Sequence, residues 1–122
     1  MKKYFVVLIL ITLFWCQKSE EKMNKPYVVE VTTFKYKSTV KSEDFWKEDA
    51  QVEAIYTSKQ PGFINRESGY SEDKEEVVVV VYWETNEDAE ASMKKFMSSA
   101  SVVTYANMID GSTMNMARYT VK

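Results

Sequence analysis

Asp49 and Glu53 are the two side chains that type and spacing best suit to chemistry in this chain. On a helix turning roughly 100° per residue, Phe45 and Tyr56 fall near one angle, Trp46 near another, and the two carboxylates lie between them. A carboxylate desolvated among aromatic rings has a raised pKa, which suits it to take a proton from a bound molecule. The same spacing also fits a helix rotated so that both groups reach solvent at its edge, or a Lys or Arg that neutralises them. Trp46, Tyr56, Asn65 and Trp83 are the matching candidates for ligand contact. For Trp83, at the end of an apolar run, ordinary burial in the core is the competing reading.

Composition removes several other chemistries. With no histidine and one cysteine, Ser-His and Cys-His nucleophiles are excluded. The carboxylates are not spaced as a zinc or calcium site, so no metal is expected. Only Gly62, Gly69 and Gly111 are glycines, which leaves no phosphate-cradling loop and no cofactor motif. Met93, Met97, Met114 and Met116 are expected to fill gaps in the core rather than to bind copper. The chain carries 16 basic and 18 acidic residues with no basic stripe, so nucleic acid is not an expected partner.

The elements that must position these residues follow from the hydrophobic periods. Tyr27 to Lys37, rich in Val, Thr and aromatic residues, predicts a first strand. Ser42 is an N-cap candidate for a helix running to about Ser58, with Glu43 and Asp44 in its first turn. Pro61-Gly62 breaks the chain before a second strand, Phe63 to Tyr70, and a polar connection leads into a third, Glu75 to Glu84. Thr85 and Asp88 stand as N-cap and N3 of a second helix, which aligns Ala89, Met93, Phe96, Met97 and Ala100 on one stripe. A further helical turn or two is expected around Val102 to Ile109. Asp110-Gly111 is expected to stop it before a last strand from Thr113 to Val121.

The order β-α-β-β-α-β predicts an α+β, ferredoxin-like domain: a four-stranded antiparallel sheet with the helices on one face. Val77 to Val81, followed by Tyr82 and Trp83, form an apolar run without alternation, and such a strand needs cover on both faces. The helices supply one cover. The other is expected from a second copy, sheet face against sheet face, as a homodimer. Polar groups on the strands, Glu30, Asn65, Arg66 and Arg118, are expected to find partners across the sheet or the dimer interface.

Ahead of this domain, 26–122, the chain reads as an address. Lys2 and Lys3 precede an apolar stretch, Tyr4 to Trp15, whose helix would span only ~18 Å of a ~30 Å hydrocarbon core. That pattern is a signal-peptide core. Leu13-Phe14-Trp15-Cys16 resembles the lipobox of bacterial lipoproteins, although bulky Trp15 stands where that family carries a small residue. The resemblance implies lipidation of Cys16, a membrane anchor and an envelope location. An uncleaved anchor, or an ordinary signal peptide with an incidental cysteine, is the alternative. Residues 17–25 are polar and read as a tether.

Pro61-Gly62-Phe63, the Trp83-Glu84-Thr85-Asn86-Glu87-Asp88-Ala89 segment and Phe96-Met97-Ser98-Ser99 together resemble the dimeric α+β barrel superfamily. More narrowly, the chain from Tyr27 to Val121 is similar to domains of the antibiotic biosynthesis monooxygenase type. The resemblance implies a pocket between helices and sheet that takes a small hydrophobic or aromatic molecule. It also implies either a binding module or a cofactor-independent oxygenase acting on a phenolic or quinol-like compound. Trp83 falls where haem-degrading relatives place a pocket tryptophan. Their histidine has no counterpart here, and Thr32 and Thr33 occupy the region of their strand asparagine.

Overall fold

The computed structural model describes residues 25–122. The stretch expected to be a signal peptide, Cys16 and the expected tether up to residue 24 lie outside the described residues. Strand β1 is Tyr27–Tyr36, helix α1 Ser42–Ile55, strand β2 Phe63–Ser71, strand β3 Glu76–Trp83, helix α2 Asn86–Phe96, helix α3 Val103–Met108 and strand β4 Ile109–Val121. Short 3-10 turns at Thr57–Lys59 and Ala100–Val102 follow α1 and precede α3. The sheet runs β2-β3-β1-β4 with every pairing antiparallel. This is the expected ferredoxin-like α+β arrangement, with α3 added before the last strand.

Local signals explain most boundaries, and three expectations are corrected. Thr85 caps α2 as anticipated: its Oγ1 accepts from the Asp88 N–H at 3.1 Å and donates to Asp88 Oδ2 at 2.9 Å. Ser42, by contrast, is already helical; the cap position is Lys41, which makes no side-chain cap bond. Helix α1 stops at Ile55 rather than Ser58, because the chain tightens into the 3-10 turn, where the Gln60 side-chain amide donates to the Tyr56 carbonyl at 3.2 Å. Asp110-Gly111 does not precede the last strand but lies inside it. The β1–β4 register shifts between Thr33 and Lys35, and the Asp110 carboxylate accepts from Ser112 N–H and Oγ at 3.1 and 2.6 Å. The turn-like residues are thus spent on a bulge within a ladder.

The Pro61-Gly62 break is rigid. Gly62 has φ +80°, and a Cβ on it would overlap the Asp88 carboxylate. Its carbonyl accepts from the Glu84 N–H at 2.8 Å, tying the start of β2 to the end of β3 and the cap of α2.

Alternation along the central strands sorts two faces. Val28, Glu30 and Phe34 of β1 and Val77, Val79, Val81 and Trp83 of β3 are buried toward the helices. Phe45, Asp49 and Val52 on α1, with Tyr56 just beyond it, meet them at helical spacing. Removing each such apolar side chain from water contributes about 1.5–3 kcal/mol. The opposite face carries Val29 and Val31 beside Val78, Val80 and Tyr82, all only half-buried, with Tyr119 60% exposed on β4. Among the described residues no helix is long and apolar enough to cross a membrane.

Candidate functional site

A cavity of ≈ 120 Å³ lies between the helices and the inner face of the sheet. Its sheet side includes Glu30, Thr32, Val79, Val81 and Trp83, and its helix side includes Val52, Tyr56, Ser92, Phe96 and Tyr105. For scale, an apolar cavity of about 150 Å³ holds a benzene ring. Most of the wall is apolar, so its few polar groups decide what it recognises.

The strongest polar group is a buried cluster. Arg66 on β2 donates to Asp49 on α1 through both terminal nitrogens, Nη2 to Oδ1 at 2.7 Å and Nη1 to Oδ2 at 3.2 Å. Nη1 also reaches Ser68 Oγ at 3.1 Å, and Tyr105 on α3 donates its hydroxyl to Asp49 Oδ1 at 2.9 Å. One carboxylate thus ties a helix to a strand and to a second helix. Burial alone would push the Asp49 carboxyl up, but hydrogen bonds and charge from Arg66, helped by Ser68 and Tyr105, hold it below the ordinary carboxylate value. Burial and the Asp49 charge raise the Tyr105 hydroxyl, which stays a neutral donor. Burial would lower the Arg66 guanidinium, yet the Asp49 contact leaves it raised.

The expected role of Asp49 as a desolvated base with a raised pKa is therefore corrected. Asp49 is buried where the helical spacing placed it, but an arginine seventeen residues along the chain holds it ionised and fully engaged. Of the alternatives left open by the sequence, neutralisation by a basic residue is the one that occurs. Glu53 is half-buried at the edge of α1, near the angle of Trp46, and neither side chain is part of the cavity wall. Trp46 packs edge-on to Phe45 and Tyr70 at ring distances of 5.1 and 6.4 Å. Asn65 is exposed at a bulge in β2, opposite Tyr82 on the outer face. Tyr56 and Trp83 do border the cavity.

Tyr56 donates its hydroxyl to the Ser92 carbonyl at 2.6 Å, and burial raises its pKa despite that bond. Glu30 accepts from Arg118 Nε at 2.7 Å across the β1–β4 register, so the pairing anticipated for these strand residues is met within one chain. Trp83 differs from the others. It is 1% exposed, and its Nε1–H has no acceptor among the described residues. Buried donors without partners are rare in folded proteins, and this one belongs to a residue that borders the cavity.

Tyr105 was not a sequence candidate. Its signal was there: Val102, Tyr105 and Ile109 repeat at i, i+3 and i+7, a helical spacing of buried residues that runs from the 3-10 turn through α3 to the start of β4.

Solved structures share this architecture. SnoaB, a cofactor-independent oxygenase from Streptomyces nogalater, superposes with a TM-score of 0.61 at 17% identity over 79% of this chain and 93% of that one. A provisionally named antibiotic biosynthesis monooxygenase from Bordetella bronchiseptica gives 0.66 at 13% identity over 80% and 99%. A dimeric ferredoxin-like protein of unknown function from Thermobifida fusca gives 0.62 at 12% identity over 80% and 93%. At these identities the likeness to monooxygenase-like structures is one of fold. No protein-family model matches the sequence, and no curated protein does either.

Proposed function

We propose that the protein is an envelope-tethered small-molecule-binding domain whose cavity holds a hydrophobic or aromatic compound carrying one hydrogen-bond acceptor. The observation that carries this reading is a largely apolar cavity bordered by Trp83, whose buried Nε1–H has no partner among the described residues. The other polar groups there favour binding over proton abstraction: Glu30 and the Asp49 behind Arg66 are both paired with arginine, and Tyr105 is a donor. The test uses acetophenone, a single ring with one carbonyl, in calorimetry. Binding by the wild type and a loss of about tenfold in Trp83→Phe, one hydrogen bond's worth, supports the reading. Equal affinity in the two proteins defeats it.

The anchor rests on Lys2, Lys3, the apolar stretch to Trp15 and Cys16. Labelled fatty acid should enter the wild type and not Cys16→Ser, and the variant should leave the membrane fraction. The homodimer rests on the half-buried outer sheet face, and the description of the Thermobifida fusca neighbour as dimeric is consistent with it.

The fold shared with SnoaB favours a second reading, cofactor-independent oxygenation of a phenolic or quinol-like compound. Oxygen uptake with trimethylhydroquinone above the uncatalysed rate, suppressed by excess acetophenone competing for the cavity, would support it. Acetophenone binding without such uptake leaves the binding module.

A further inference from the structure

Of the four methionines expected to fill the core, three are exposed and Met93 is half-buried. Met97 is 80% exposed, and Met114 and Met116 are 42% and 41% exposed. Large apolar side chains left in water are uninformative singly, but Met93, Met97 and Met114 all border the same cavity, two from α2 and its C-cap and one from β4. Met93 and Met97 are one helical turn apart, with the Met97 N–H donating to the Met93 carbonyl at 3.3 Å, so their side chains share a face. Met114 approaches from the edge strand of the sheet. Three thioethers on long, unbranched stems therefore border one cavity, two from α2 and its C-cap and one from β4.

Thioether sulfur is a soft, uncharged donor with little attraction for Mg²⁺, Ca²⁺ or Zn²⁺ and a marked preference for Cu(I). No competing hard site is nearby: among the described residues no group of three His, Cys, Asp or Glu could hold a metal ion. Glu30, the carboxylate on the cavity wall, is committed to Arg118. We propose that Met93, Met97 and Met114 bind a soft monovalent d10 cation, Cu(I) or its air-stable analogue Ag(I), at the rim of the cavity. This site does not rest on the aromatic ligand proposed above.

Silver nitrate in chloride-free buffer is the probe, added to the full chain carrying Cys16→Ser so that the thiol does not compete. Methionine methyl groups labelled with carbon-13 report each sulfur separately. The expected result is that the signals of Met93, Met97 and Met114 shift together and saturate at one equivalent, while Met108 stays in place. Met97→Leu and Met114→Leu should each weaken binding by roughly tenfold or more with thermal melting unchanged. Absence of a saturable shift, shifts confined to Met1 or Met23, or undiminished affinity in the Met97→Leu/Met114→Leu double variant would each overturn the proposal. Acetophenone calorimetry on the same samples tests the cavity ligand independently.

Discussion

The two faces of the sheet are built from the same residue type and meet different fates. Val77, Val79 and Val81 are packed beneath helices, beside two arginine–carboxylate pairs and a tryptophan whose N–H lacks an acceptor. Val78, Val80 and Tyr82, from the same strand, look outward beside Val29, Val31 and Tyr119 with no charged pair among them. Hydrophobic burial is non-directional, so a run of valines says how much cover is needed and nothing about its kind. The neighbours decide. Where charge and a cavity accompany the valines, the face is suited to recognise a small molecule. Where half-buried valines and Tyr82 are edged on β2 by Asn65 and Glu67, the face is suited to another protein surface.

The sharpest break of that contrast lies in the inner pair. Asp49→Asn or Arg66→Met should each cost about 3–5 kcal/mol in urea unfolding, because the remaining partner is left buried and uncompensated. The double variant Asp49→Leu/Arg66→Met should recover much of that loss, whereas additive losses would show that the two side chains contribute independently of their pairing. On the outer face the effect moves from folding to assembly. Val80→Lys should leave a chain that folds and melts normally, since Lys there stands opposite Glu67 on β2. Its self-association in sedimentation should weaken roughly a hundredfold, the cost of facing a charge against apolar surface. A wild-type chain that is monomeric at all concentrations would remove the distinction between the faces. Smaller again is the tenfold loss of acetophenone affinity expected for Trp83→Phe. Smallest is the response to pH. The Asp49 carboxyl is lowered in the folded state, so its contribution is fully present above the unfolded value of about 3.9 and is lost only as pH falls through the folded value. The stability difference between wild type and Asp49→Asn should therefore be flat from roughly pH 6 to 8 and shrink only in acid.

The order of elements was readable because each carries its own local signal: β-branched residues in β1 and β3, Pro61-Gly62 before β2, and the Thr85-Asp88 cap of α2. Where a residue had two local uses, the reading slipped. Asp110-Gly111 serves a bulge as well as a turn, and Ser42 serves as a first helical residue as well as a cap. The site was harder for a different reason. Helical spacing put Asp49 on the buried face, but its protonation state depends on Arg66 and Tyr105, which lie seventeen and fifty-six positions away. Spacing within one helix carries no record of such partners. Asn65 was displaced by a one-residue shift in register, which moves a strand residue to the other face. The methionines were misplaced because composition cannot tell a flexible apolar side chain that fills a core from one held at a rim.

The contact between Gly62 and the Asp88 carboxylate couples two stretches far apart in the chain. The Asp88 side chain occupies the space a Cβ on Gly62 would need. They are halves of a single latch, so a change in either disturbs the other. That latch closes a strand onto a helix cap on the far side of Trp83 from the Asp49 cluster. A chain could keep it intact while exchanging every polar group that lines the cavity.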